Sequence, residues 1–220
     1  MDGARTQFDR QLKSMRDDIL QLADMVDTAI ELSMDALKEQ DVDLAQQVVD
    51  GDERINQLRY DVEETALTLL ATQQPIARDL RSIVAAIHIV TELERMGDYA
   101  SGVAELAVRL SEWPLLKPLI DLPRMAAINR EMIQNSLEAY VERDVNLAVE
   151  TAKRDAEIDG LYDQIYRELL TYMMQDPSTI TRATYLLWVT HNMERIADRV
   201  TNICERVVFM TTGEMQEFNY

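Results

Sequence analysis

The chain of 220 residues carries 40 acidic and 22 basic side chains, a formal net charge of −18, and is 47% apolar. That acidic balance repels nucleic-acid phosphates and anionic lipid, which argues against direct binding to either and points to cations or basic protein faces as partners. The single cysteine, Cys204, excludes an intrachain disulfide and a Cys-rich zinc site, while scarce glycine (6) and proline (5) among abundant Ala, Leu, Glu, Asp, Arg, Gln and Met favour helix throughout.

The opening residues Met1-Asp2-Gly3-Ala4-Arg5 lack the apolar stretch of a signal peptide. Ile19, Leu22, Met25, Val26, Ile30 and Met34 then mark one face of a first long helix over 5–39. Further helices are predicted over 42–72, 76–111, 119–142, 145–173 and 178–210, with no convincing period-two alternation between them. Pro75 and Pro177 are expected to open helices, the latter behind an Asp176 N-cap, and Pro114, Pro118 and Pro123 mark a linker. The most apolar run, Ile83 to Val90, is far short of the roughly 20 residues that span a bilayer. A soluble, cytoplasmic, all-α protein is expected.

The chain repeats itself. Asp41-Val42-Asp43-Leu44-Ala45 matches Asp144-Val145-Asn146-Leu147-Ala148, displaced by 103 residues. The same displacement sets Asp52 on Asp155, Ile55 on Ile158, Asn56 on Asp159 and Leu58 on Leu161. After the loops it becomes 100, and Glu94-Arg95-Met96-Gly97-Asp98 matches Glu194-Arg195-Ile196-Ala197-Asp198. Each unit therefore holds three helices, the third covering the apolar stripe that a helix pair leaves open. The predicted organisation is a first three-helix bundle over 1–112, a linker over 113–123 and a second bundle over 124–220.

Four segments set side-chain oxygens four residues apart: Asp52 and Asn56, Glu94 and Asp98, Asp155 and Asp159, Glu194 and Asp198, with Asn202 extending the last. Positions i and i+4 share a helix face, where like charges repel and a bridging cation removes that cost. Two such helices side by side would present four oxygen ligands, a set suited to magnesium, manganese, iron or calcium. In so acidic a chain one pair alone reads as a solvated face; recurrence on equivalent helices carries the metal reading. Gly97 and Ala197, inside the motifs, would let a neighbouring helix approach. Arg95 and Arg195 read as surface ion-pair partners. His191 lies three residues before Glu194, but no Glu-x-x-His segment of a di-iron bundle occurs. No nucleophile–base pair or Gly-rich phosphate loop is present, so no enzymatic activity is expected.

The segments 94–98 and 194–205, together with Gln74-Pro75-Ile76-Ala77-Arg78-Asp79-Leu80-Arg81 and Thr171-Tyr172-Met173-Met174-Gln175-Asp176-Pro177, resemble the PhoU family, in its proteobacterial type. The resemblance covers nearly the whole chain. It implies two homologous three-helix bundles of spectrin-repeat type with multinuclear metal sites at Asp52, Asn56, Glu94 and Asp98 and at Asp155, Asp159, Glu194, Asp198 and Asn202. Zinc joins the candidate ions above. The first site is expected to have one ligand fewer and to be less anionic, because Asn56 and Gly102 stand where Asp159 and Asn202 sit, so that the two sites differ in affinity or metal. The resemblance further implies a negative regulator of phosphate uptake and of the Pho regulon, a homodimeric adaptor between the ATPase of a phosphate ABC transporter and a sensor histidine kinase, reaching the membrane only through those partners. The competing reading is a metal-dependent enzyme or iron-storage bundle using the same carboxylates.

Overall fold

The structure, a computed structural model, describes the backbone of residues 2–218 and the side chains of 7–218. It is all helix, with no strand among the described residues: α1 (Asp2–Glu39), α2 (Val42–Gln73), α3 (Ala77–Leu110), α4 (Asp121–Glu142), α5 (Val145–Ala152), α6 (Asp155–Gln175) and α7 (Ile180–Thr212), with a 3₁₀ turn at Pro177–Thr179 before α7. Helices α1 to α3 form one bundle, and α4 to α7 form the second.

The repeated signature at 41–45 and 144–148 is a helix start. The Asp41 carboxylate accepts from Leu44 N at 2.9 Å, and Asp144 accepts from Asn146 N and Leu147 N at 2.9 and 3.0 Å. Each satisfies backbone donors that the first turn leaves open. The residue before each cap adopts a left-handed conformation without being glycine: Gln40 at φ 54° and Arg143 at φ 57°. Gln40 is tied down by its own amide, which donates to Leu110 O and Trp113 O.

Three boundaries differ from expectation. The predicted fifth helix is interrupted at Lys153–Arg154, where three-residue hydrogen bonds (Arg154 N to Thr151 O, Glu157 N to Arg154 O) replace the helical ladder. The Arg154 guanidinium holds this tightened turn, pairing with Glu157 beyond the break and with Glu131 of α4, both at 3.0 Å. In the first repeat Gly51 occupies that position and α2 runs through unbroken. Pro75 precedes the Ile76 cap of α3 instead of opening the helix, whereas Pro177 does open its 3₁₀ turn, with Asp176 accepting from Ser178 N at 3.0 Å. Pro123 lies in the first turn of α4. Within the connection before α4, the buried Lys117 pairs with Glu168 of α6.

The bundles share one continuous core. Ile19, Leu22, Val26 and Ile30 of α1 are sealed, as are Ile83, Ile89, Val90, Leu93 and Met96 of α3 and Val189, Ile196, Val200 and Val207 of α7. Helix α3 packs against α1, α2 and α7 at once, so little of its circumference faces water. That explains the apolar run 83–90 as the centre of the molecule. Among the described residues no helix is long and apolar enough to cross a membrane.

Helices α3 and α7 run antiparallel across an internal twofold. Asn202 of α7 donates to Glu92 of α3 at 3.2 Å. At the twofold-related point Gly102 of α3 faces Asn192 of α7 so closely that a Cβ at Gly102 would stand 2.9 Å from the Asn192 amide nitrogen. Between α1 and α4 the equivalent positions Asp27 and Arg130 face each other as a bidentate pair, both bonds 2.9 Å.

Gly51 and Gly160 lie inside helices with nothing within 4 Å of a built Cβ. Gly51→Ala and Gly160→Ala are each predicted to raise unfolding free energy by about 0.5–1 kcal/mol in urea titrations. Gly97→Leu, whose branch would drive into Ile55, is predicted to lower it by about 1–3 kcal/mol.

Candidate metal centres

Each bundle carries its acidic motif where its second and third helices meet. In the first, Asp52 and Asn56 stand one turn apart on α2, and the Asn56 amide donates to Asp52 Oδ2 at 2.8 Å. Asp52 Oδ1 is sealed from solvent and receives no hydrogen bond. Gly97 of α3 makes room for it: a Cβ there would lie 3.1 Å from Ile55 and 3.4 Å from Asp52 Oδ1. Asp98 and Glu94, one turn apart on α3, complete the cluster. Burial raises the pKa of Asp52, with repulsion from Asp98 adding to it; Glu94 is raised by burial and then by Asp98. Asp98 is raised by burial against the pull of Arg59 and Arg95.

In the second bundle Asp155 is the first residue of α6, directly after the break, and Asp159 follows one turn on. Asp155 Oδ1 is again buried and without a donor, the counterpart of Asp52 Oδ1. Its pKa is pushed up to about 6 by burial, then by Asp159, Asp198 and Glu194. Asp159 is raised by burial and by Asp198, and Glu194 by burial and by Asp198. All four carboxylates therefore act on one another. Arg195 stays within its own motif, 2.9 Å from Asp198 and 3.2 Å from Glu194, and His191 Nδ1 lies 3.6 Å from Glu194.

The predicted residues are thus brought together in two sets, but not yet into a shell. Among the described residues no three acidic, histidine or cysteine side chains already stand at metal-ligand spacing. Arginines occupy the space between carboxylates: Arg195 in the second cluster, and in the first Arg59, 3.4 Å from Glu94. The donor set nevertheless fits a hard cation. Two equivalent buried carboxylate oxygens lack any donor, and each faces further carboxylates that repel it. Asn202 is turned partly away, its amide donating to Glu92, which also pairs with Arg199 at 3.3 Å.

Sequence reasoning missed Arg59, Glu205 and Glu217. Arg59 has no basic counterpart in the second repeat, so repetition gives no signal for it. Glu205 continues the series Asp198 and Asn202 at helical spacing and was findable by that period. It lines a groove of about 380 Å³ with Asp155, Asp198, Asn202, Glu217 and Phe218. Glu217 enters only because the chain turns back after the left-handed Gly213 cap, and Phe218 N donates to Glu205 Oε1 at 2.9 Å.

A family model described as the PhoU domain matches twice, over residues 19–107 and 122–207. The chain belongs to the PhoU family. The two matches fall on the two bundles, so the repeat read from the motifs is a repeated PhoU domain. A protein of Aquifex aeolicus named phosphate-specific transport system accessory protein PhoU homolog is 38% identical over 206 residues, covering 94% of this chain and 93% of its own. A Clostridium acetobutylicum protein of the same name is 36% identical, with 96% and 97% covered. The crystal structure of PhoU from Pseudomonas aeruginosa superposes with a TM-score of 0.90 at 35% identity, covering 94% of this chain and all of that one. That of the phosphate transport system regulatory protein PhoU from Streptococcus pneumoniae gives 0.89 at 30% identity.

The Asp155 shift has a pH consequence. Its pKa moves from 3.8 to about 6 on folding, so between those values the folded chain holds more protons than the unfolded one. Stability therefore falls as pH rises through that window and stays reduced above it. Asp155→Asn is predicted to raise the Tm of chelator-treated protein by a few degrees at pH 7 and to narrow its difference from pH 5, measured by calorimetry. An unchanged pH dependence would contradict the cluster electrostatics.

Proposed function

We propose that this protein is a negative regulator of phosphate uptake and phosphate-starvation signalling. It acts by binding, not catalysis, as a metal-dependent adaptor between the ATPase of a phosphate ABC transporter and a sensor histidine kinase at the cytoplasmic face of the membrane. Membership of the PhoU family and the names of its relatives support the phosphate role. The observation that carries the metal part is the equivalent pair of buried, donorless oxygens, Asp52 Oδ1 and Asp155 Oδ1, each among further carboxylates.

Asp52, Glu94 and Asp98, with Asn56 beside them, would hold the first ion or cluster. Asp155, Asp159, Glu194 and Asp198, with Asn202 at the edge, would hold the second. Bound there, a divalent or trivalent cation such as magnesium, manganese or iron would supply charge neutralisation between two helices. The chain's own residues set the geometry: Gly97 lets α2 and α3 approach, and the Arg154 turn places Asp155 at the start of α6. Asn56 donates to Asp52 and so takes one carboxylate oxygen. The first site is accordingly the less anionic and the weaker.

Deleting the gene is predicted to raise alkaline phosphatase activity in phosphate-rich medium, and chromosomal Glu194→Ala/Asp198→Ala to reproduce part of that rise with normal protein levels by immunoblot. Normal repression in the deletion strain would contradict the regulatory role. Full repression in the double variant would remove the second cluster from it.

A further inference from the structure

Away from both acidic clusters, one groove of this strongly acidic protein is basic. It has a volume of about 260 Å³ and lies where α1, the start of α3 and the ends of α4 and α7 meet. Lys13, Arg16 and Arg143 line it, with Ser82, Tyr140, Asp9 and Asp79. Arg78 and Arg81 stand near enough to repel Arg143. Three cations thus line a space that two carboxylates border, with two more arginines close to one of them, in a chain whose net charge is −18.

Two of these arginines are not used up by the protein. Arg16 makes no hydrogen bond or ion pair among the described residues, although its Nε is sealed from solvent. A buried guanidinium donor without an acceptor is costly, and a bound anion would remove that cost. Arg143 stands at the left-handed position φ 57°, a conformation unfavourable by about 1 kcal/mol for a side chain of its size. Its equivalent in the first repeat, Gln40, spends its amide on two backbone carbonyls. Arg143 instead crosses to α3 and gives one Nη2 bond, 2.8 Å, to Ser82 Oγ, leaving the rest of its fork free of hydrogen-bond partners among the described residues. Arg81, by contrast, is committed to the carboxyl end of α7, with Nε 3.5 Å from Met210 O.

We propose that this groove binds a phosphate-type oxyanion, held between Arg16 and Arg143 with the Tyr140 hydroxyl beside them and Lys13 at the rim. A tetrahedral dianion accepts bonds from several directions and suits converging guanidinium forks on separate helices better than a planar carboxylate does. Water occupies about 30 Å³ per molecule, so the groove has room for one phosphate group with several waters. The Tyr140 phenol is buried in the groove lining and within electrostatic reach of both Arg16 and Arg143, which adds a neutral hydroxyl donor near the two cations. The first turn of α3 has no side-chain cap, and its positive dipole end adds to the same field. The ligand is either free inorganic phosphate or the phosphomonoester of a larger molecule, which share this chemistry. The site does not depend on the metal clusters.

The test is calorimetric titration of full-length protein, in chelator and at low ionic strength, with inorganic phosphate and separately with glycerol 3-phosphate. Saturable binding of either is expected, weakened at least tenfold in Arg16→Gln and in Arg143→Asn, the latter retaining a residue tolerant of positive φ, and unchanged in Asp155→Asn. Tight binding of inorganic phosphate alone identifies free phosphate as the ligand; binding of the ester alone identifies an ester-bearing molecule. In unaltered protein the bound anion is expected to protect Arg16 and Arg143 from phenylglyoxal, read by peptide mass spectrometry, which removes any dependence on variant folding. Absence of saturable binding with both anions, equal affinity in the two arginine variants, or labelling of Arg16 and Arg143 unaffected by the anion would overturn the proposal.

Discussion

Everything in this molecule hangs on the antiparallel crossing of α3 with α7. These helices close the two bundles, and they are also the surface along which the bundles join. Each therefore needs apolar residues on more than one face, which is why Ile83, Ile89, Leu93 and Met96 are sealed in one and Val189, Ile196, Val200 and Val207 in the other. A fully buried Ile, Leu or Met contributes about 1.5–3 kcal/mol, so this seam dominates the stability of the pair. Close approach then dictates details. Gly102 is small because Asn192 lies across from it, and the twofold-related Asn202 finds Glu92 instead. The inequality of the two acidic clusters at this position is a packing consequence of the seam.

The same crossing commits the remaining face of each third helix to its own second helix, and that is where the carboxylates stand. Asp52, Glu94 and Asp98 are gathered against mutual repulsion and partial burial, and so are Asp155, Asp159, Glu194 and Asp198. Such an arrangement disfavours the charged fold unless a cation or a proton neutralises it. The arginines do part of this work. Arg195 sits between Glu194 and Asp198, and Arg59 reaches Glu94 from α2. They leave Asp52 Oδ1 and Asp155 Oδ1 without a donor. A cation entering at those oxygens would compete with the arginines and pull the third helix of each bundle onto the second. A change in ion occupancy would thereby alter helix spacing within each bundle.

Much of the fold was legible in the sequence because helical period, capping residues and internal repetition are local or pattern-level signals. The Asp41 and Asp144 caps, the Asp176-Pro177 start and the buried face of α1 all follow from them. The break before Asp155 was not, since no proline or glycine marks it; it rests on Arg154 reaching Glu131 in another helix. Repetition also picked out the acidic motif residues, but it could see only what both repeats keep. Arg59, present in one repeat, and Glu217, delivered by the returning tail, carry no repeated signal. The basic groove was equally invisible, because Arg16, Ser82 and Arg143 come from three helices with no shared spacing.

Metal binding by the two carboxylate clusters is tested most directly by titration of chelator-treated protein with manganese, followed by calorimetry and by elemental analysis after dialysis. The account predicts at least two sites per chain of unequal affinity, the tighter one lost in Glu194→Ala/Asp198→Ala and the weaker one lost in Asp52→Ala/Asp98→Ala. Unchanged metal content in both double variants would contradict it.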